Sequence, residues 1–314
     1  MTDEVTAVRV AGPAVSEVSA ADAALRAAGL DPDDTWRVVR RALEEDFRYG
    51  PDVTSRATAA DATLTADVVA RQRGVVAGVP VALAVLEAVG DMAGSGAAGV
   101  VCRADGARVE PGDAVLRVSG PAVAVLGAER TMLNFLGHLS GIATATRAWA
   151  DAVAGTGAVI RDTRKTTPGL RLLEKYAVRC GGGQNHRMGL GDAALIKDNH
   201  VAAAGGVAAA IAAVCSAAPG VPLEVECDTL AQVAGALAAG ARFLLLDNMS
   251  LADLRLAVAE ARRYAGVRLE ASGGLRLATA REVAATGVDY LAVGALTHSS
   301  PALDLGLDFV TRPR

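Results

Sequence analysis

The chain has 314 residues, enough for one large α/β domain or two of ordinary size. Hydrophobic residues make up 52% of it and the formal net charge is -4, which excludes wholesale disorder and the basic footprint of a nucleic-acid binder. The four cysteines, Cys102, Cys180, Cys215 and Cys227, form no C-x-x-C pair, so a zinc ribbon or dithiol centre has no support and a reducing cytoplasm is expected.

The opening "MTDEVTAVRV" lacks the basic and apolar regions of a secretory signal, and residues 1 to about 30 are expected to be a frayed extension. "DDTWRVVRRALEEDF" then predicts a helix, capped by Asp34 or Thr35, with Trp36, Val39, Leu43 and Phe47 as its apolar stripe. "TLTADVVAR" alternates like a strand, "PVALAVLEAV" opens a helix at Pro80, and "GARVEPGDAVLRVSG" has the pattern of a β-hairpin. Pro121 to Ala154 is a long helical region, with a break expected near Gly137 or Gly141.

After residue 155 the texture changes. Short apolar strands alternate with helical patterns in "AVIRDT", "AALIKDN", "PLEVECDT", "RFLLLDN", "VRLEASGG" and "DYLAVGAL", the rhythm of βα units and a parallel sheet. Ser250-x-x-Asp253 and Thr279-x-x-Glu282 match helix-start capping patterns. The uncharged window Val201–Ala218 is long enough to span a membrane, but its Ala and Gly content predicts a buried helix with its connector.

Each strand ends in polar residues: Asp162–Lys165, Lys197–Asn199, Glu226–Asp228, Asp247–Asn248, Ser272–Gly274 and Gly294. In a (β/α) barrel such ends converge on one mouth, where an active site is built. An open doubly wound sheet would collect them along one edge, but no switch in strand order is visible, which favours the barrel.

Arg164, Lys165, His186, Arg187 and Lys197 would repel one another at that mouth without anionic ligands. "LEVECD" puts Glu224, Glu226 and Asp228 on one strand face, where a buried parallel strand should be apolar. Asp228 also suits a cap on the next helix. Asp247 is free of that duty because Ser250 serves it, so Glu226 and Asp247 read as oxygen ligands for Mg²⁺. Ser272, Gly273, Gly274 and Gly294 end the late strands, where backbone N–H groups often cradle a phosphate. "GLGDAA" fits a dinucleotide pattern but precedes its strand, which excludes that use. From the residues alone, the chemistry is Mg²⁺-dependent transfer between a sugar phosphate and an anionic acceptor.

"RDTRKTTPGLRLLEKYAVRCGGGQNHR", "GDAALIKDNH", "EVECDT", "LLLDN", "ASGG" and "YLAVGALTHS" together resemble the quinolinate phosphoribosyltransferase family, over about residues 33 to 310. The resemblance implies an α/β protein. A flexible extension (1–30) is followed by an N-terminal α/β sandwich domain (31–132, rejoined by 301–314) and an incomplete (β/α) barrel (133–300). It implies transfer from phosphoribosyl pyrophosphate to quinolinate with decarboxylation; charge, composition and cysteines add the expectation of a cytoplasmic protein with no nucleic-acid or membrane partner. A related phosphoribosyltransferase-like protein with another anionic acceptor is the alternative. By motif, Arg130, Thr163, Arg164, His186, Arg187 and Lys197 would hold the acceptor, and Lys165 would lie where the two substrates meet. Glu226 and Asp247 would hold Mg²⁺ and the ribose pyrophosphate, and Ser272, Gly273, Gly274 and Gly294 the 5′-phosphate. A homodimer or higher even oligomer is implied, with Arg130 reaching the neighbouring subunit's site.

Overall fold

A computed structural model of the chain describes residues 19–94 and 96–310. It opens with α1 (Ala20–Ala27), α2 (Pro32–Asp46) and α3 (Val53–Thr58), followed by β1 (Thr63–Ala70), β2 (Gly74–Val75) and α4 (Val79–Met92). Three strands come next, β3 (Ala98–Val101), β4 (Arg108–Val109) and β5 (Ala114–Pro121), and then the long helix α5 (Ala122–Val153). The βα region comprises β6 (Val159–Arg161), α6 (Arg171–Cys180), β7 (Ala194–Ile196), α7 (Asp198–Ala204), α8 (Val207–Ala217), β8 (Leu223–Cys227), α9 (Leu230–Ala238) and β9 (Phe243–Asp247). It ends with α10 (Leu251–Ala261), β10 (Arg268–Ser272), α11 (Ala280–Ala284), β11 (Tyr290–Ala292), α12 (Ala295–His298) and β12 (Leu305–Phe309).

The first domain is an antiparallel sheet in the order β12-β1-β5-β3, packed on helices. The second is a six-stranded parallel sheet in the order β6-β11-β10-β9-β8-β7. That order is consecutive around a circle, with one opening between β6 and β7. The opening is partly filled where Gln184 lies parallel against Arg161 at the end of β6. This is the barrel that the strand rhythm predicts, and it is incomplete as the resemblance implies.

Several local expectations change. Residues 1–18 lie outside the described part, but 19–30 are not frayed. Ser19 caps α1, Ala21 and Leu25 are buried, and Trp36 Nε1 donates to Asp22 Oδ1 at 2.6 Å. Two apolar contacts four residues apart were enough to seat a segment too alanine-rich to show a clear period. Helix α2 begins earlier than expected, with Asp31 as its cap and Pro32 in the first turn. The expected hairpin is not formed, because β4 pairs with β2 while β5 joins β1 and β3. Val201–Ala218 is not a buried helix: α7 and α8 meet at 89°, and within α8 only Ala210 and Ile211 are buried. No single described helix is long and apolar enough to cross a membrane. Thr279 does not cap α11, since its hydroxyl donates to the Arg276 carbonyl within a preceding 3-10 turn. Asp228 is not a cap either, because Thr229 and Gln232 form the capping box of α9.

Helix α5 runs unbroken for 32 residues, although Gly137 and Gly141 lie in its middle. The glycines are used for close approach. The segment after α12 crosses the helix there, with Leu303 N–H donating to the Gly137 carbonyl at 2.8 Å. A Cβ on Gly141 would overlap the Pro301 carbonyl oxygen. The crossing carries the chain end back to β1, where β12 pairs from Ala66↔Phe309 to Ala70↔Leu305. Alanine at an open helix position should gain about 1 kcal/mol over glycine. Gly141→Ala is instead expected to lower stability by about 1–3 kcal/mol through this overlap. Gly127→Ala, whose new methyl group would make only close contact with Val89 and Phe47, is the control. Urea unfolding of both variants checks the difference.

Candidate active site

The C-terminal ends of β6 to β11 surround a cleft of about 340 Å³, lined by Thr163, Arg164, Lys165, His186, Arg187, Leu195, Lys197, Glu226, Leu245, Glu270, Ser272 and Ala292. Most of the residues predicted from sequence therefore meet in one place. Lys197 follows β7 directly and its ammonium lies 2.6 Å from Glu226 Oε2 on β8. Among the described residues, Arg164, Lys165 and Arg187 make no ion pair with a carboxylate. Arg187 Nη1 donates only to the Ala193 carbonyl, at 2.9 Å. Burial, and then the neighbouring Arg164 guanidinium, press the Arg187 pKa below its usual value. Cations held this close without acids of their own form a receptor for an anion.

Lys165 is placed by its backbone. Its N–H donates to Thr163 Oγ1 at 2.9 Å, and its carbonyl accepts from the Thr297 hydroxyl at 2.7 Å. Gly294 adjoins it: a Cβ there would come within 3.0 Å of Lys165 Cδ and 3.4 Å of Thr163 Oγ1. Gly273 and Gly274 have φ values of 83° and 59°, which turn the backbone sharply after β10. Gly273 packs directly on Asn248, itself left-handed at φ 54°. Asn248 Nδ2 donates to Asp247 Oδ2 at 2.7 Å, so it orients that carboxylate. Sequence reading missed this role, though the Asn after "LLLD" is the kind of residue that tolerates a left-handed turn.

Glu226 pairs with Leu245, and Leu245 and Asp247 share a strand face, so both carboxylates project to the same side of adjacent strands. Asp247 and Gly294 border the cleft rather than line it. Each carboxylate has one oxygen engaged by a neighbour, Lys197 or Asn248, which leaves the other available. Two such oxygens near a polyphosphate fit Mg²⁺.

His186 lines the cleft as predicted. It is only 8% exposed, so it forms wall rather than mouth. Its Nδ1 accepts the Arg187 backbone N–H at 2.7 Å, which puts the ring proton on Nε2, 2.9 Å from Glu224 Oε2 and 3.5 Å from Glu270 Oε1. Burial also lowers its pKa. His186 is thus a neutral ring that seats Arg187, not one of the cations. His186, Glu224 and Glu270 lie within metal-chelating distance of one another. A metal-ligating imidazole turns its other nitrogen to an acceptor, whereas this one faces a donor, so the trio is not arranged to ligate through His186.

Below the cleft, Arg161 pairs with Glu270, donates to the Asn185 carbonyl at 3.3 Å, and stacks over Phe243 and Tyr290. It faces the barrel interior. Arg130 is exposed on α5 and does not line the cleft of its own chain.

The chain is similar to known proteins over most of its length. Residues 52–140 match the family described as quinolinate phosphoribosyl transferase, N-terminal domain, and residues 142–308 match its C-terminal domain. The two matches meet inside α5, so the expected boundary at 132/133 also falls within one continuous helix. The nicotinate-nucleotide pyrophosphorylase [carboxylating] of Mycobacterium leprae is 56% identical over 86% of this chain and 95% of its own length. A probable enzyme of the same name from Bacillus subtilis is 39% identical, covering 84% and 89%. The solved nicotinate-nucleotide pyrophosphorylase of Francisella tularensis superimposes with a TM-score of 0.85 at 37% identity, covering 90% of this chain and 98% of that one.

The buried acids give a pH test. Burial pushes Glu270 up to about 7 from an ordinary 4.5. Between those values the unfolded chain is ionised while the folded one keeps the proton, so stability falls as pH rises from about 4.5 to 7 and the loss is constant above. Glu270→Gln keeps an acceptor oxygen for Arg161 and cannot ionise. Its stability relative to the parent chain is expected to improve across that window, by about 3 kcal/mol, and to level off above pH 7. Urea midpoints at pH 5, 6, 7 and 8 check it.

Proposed function

We infer the chemistry of this cleft from the premise that the chain belongs to the quinolinate phosphoribosyltransferase family. It transfers the phosphoribosyl group of phosphoribosyl pyrophosphate to quinolinate with loss of CO₂, giving nicotinate mononucleotide and pyrophosphate for the de novo synthesis of NAD. The observation that carries this reading is a cationic half-cleft without acids of its own, set against two carboxylates and a glycine turn on the next strands.

In this reading Arg164, Arg187 and Thr163 hold the two carboxylates of the pyridine ring, with His186 seating Arg187 from behind. Lys197 faces the same ligand while paired to Glu226. Lys165 lies between the acceptor and the ribose, beside Gly294. The backbone at Ser272, Gly273, Gly274 and Gly294 receives the 5′-phosphate. Glu226 and Asp247 would hold Mg²⁺, which supplies charge neutralisation on the pyrophosphate when bound.

The ring nitrogen forms a bond to C1 of the ribose as the C1–oxygen bond to pyrophosphate breaks, and that electron pair leaves with pyrophosphate. Positive charge on the ribose at that point is stabilised by Glu226 and Asp247, and charge on the leaving oxygen by Lys165. The ring nitrogen is then a pyridinium. It accepts electron density as the bond to the adjacent carboxylate breaks, CO₂ departs, and a proton replaces it on the ring carbon.

Arg130 is proposed to complete the site of a second subunit in a homodimer, which accounts for an exposed arginine outside its own cleft. The setting proposed is the cytoplasm, which suits four unpaired cysteines.

Incubation of the purified protein with quinolinate, phosphoribosyl pyrophosphate and Mg²⁺ should release CO₂ and nicotinate mononucleotide, and no product from folded protein rejects the reading. Lys165→Ala and Arg130→Ala should each lose turnover by about 10²-fold or more. Mixing the two inactive variants under subunit exchange should restore roughly a quarter of the parent activity, because half the dimers are hybrid and each has one intact site. Failure to restore any activity removes the shared site.

A further inference from the structure

Lys175, on α6, is the largest side chain in the described structure with essentially no exposure. Its ammonium bonds to Asp162, also fully buried, and donates to the His186 carbonyl at 2.8 Å. Asp162 further accepts the His186 backbone N–H at 2.8 Å and the Asn185 side-chain amide at 2.6 Å. That same amide donates to the Lys175 carbonyl at 2.8 Å. Neither Lys175 nor Asp162 lines the cleft.

The position of this knot in the chain gives it meaning. Asp162 is followed directly by Thr163 and Arg164, and His186 by Arg187. One buried ion pair therefore joins the two points at which the backbone delivers its unpaired arginines. The adjacent residue on α6, Glu174, is also fully buried. It accepts the Thr167 backbone N–H at 3.0 Å and so ties down the rest of the first loop. A buried ion pair is seldom more stabilising than well-packed apolar side chains of the same volume, whereas its directional bonds fix geometry.

We propose that Lys175 and Asp162 are positioning residues for the acceptor, setting the spacing of Arg164 and Arg187 so that both carboxylates of a planar aromatic dicarboxylate are gripped at once. This rests on the functional reading above. Of the groups assigned to phosphoribosyl pyrophosphate, those on β8, β9, the turn after β10 and Gly294 lie outside the network, and only Lys165 shares a loop with Asp162, so loosening the network should weaken quinolinate binding far more than that of the other substrate.

The test compares the parent chain with Lys175→Met and with the double variant Asp162→Asn/Lys175→Met, which leaves no unpaired buried charge. Calorimetry measures quinolinate binding, steady-state assays at saturating quinolinate give KM for phosphoribosyl pyrophosphate, and thermal unfolding monitors the fold. The double variant is expected to fold, to bind quinolinate at least about tenfold more weakly, and to keep KM for phosphoribosyl pyrophosphate within about twofold. Quinolinate affinity unchanged in the folded double variant overturns the proposal, as does equal weakening for both substrates. If the double variant does not fold, Asn185→Ala removes one donor to Asp162 without touching a charge and should show the same split at about threefold, and its absence is equally fatal. A parent chain that neither binds quinolinate nor forms product overturns the functional reading and this inference with it.

Discussion

The cleft depends on a charge pair that never touches it. Burial drives Asp162 and Lys175 each toward its neutral form, Asp162 upward and Lys175 downward in pKa, and each opposes that drive in the other. The desolvation cost is tolerable because no polar atom of the pair is wasted. The carboxylate takes donors from Lys175, His186 and Asn185, and the ammonium takes acceptors from Asp162 and His186. The reward is structural. Two loops that share no strand are held in register at the opening between β6 and β7, where a closed barrel would have used strand pairing.

Above and below that anchor the barrel alternates in sign. Cations occupy the mouth at Arg164, Lys165, Arg187 and Lys197. Acids follow at Glu224 and Glu270, and Arg161 lies beneath on the faces of Phe243 and Tyr290. Among the described residues Glu224 Oε1 and Glu270 Oε1 are buried without hydrogen-bond partners, and burial raises both acids to about 7. A neutral His186 between them and Arg187 keeps the layers apart. Were it charged, it would add a proton on Nδ1 facing the Arg187 N–H, and the two donors would collide.

Much of this was readable before any coordinates. Strand ends converge because parallel βα units leave them no other place, so Thr163 to Lys165, Lys197, Glu226 and Ser272 line one cleft as their positions predict. What could not be read are features decided by a distant partner. Gly137 and Gly141 look like helix breakers until residues 301–303 are seen lying across them. His186 looks like a cation until its two nitrogens are assigned. Lys175 sits in "LLEKYAV" as an ordinary helical lysine. Nothing local announces that it turns inward, because the acid that receives it, Asp162, comes from the end of β6, thirteen residues earlier. Thr229 and Gln232 have the capping-box spacing, and Asp228 lies one residue outside it.

Helix α5 connects these levels. At 32 residues it spans about 48 Å, long enough to serve both domains without a joint. Its first half carries the exposed Arg130. Farther along, His138 Nε2 lies 2.9 Å from Glu174, the neighbour of Lys175. Arg130 and His138 are eight residues apart, just over two turns along the same helix. A rigid rod therefore relates the arginine proposed for the partner's site to the buried residues that organise its own. The segment at residues 301–303 crosses that rod near its centre, at Gly137 and Gly141. In the proposed dimer the two clefts would then share one mechanical reference, since a hinge within this helix would misplace an arginine in a neighbour's site.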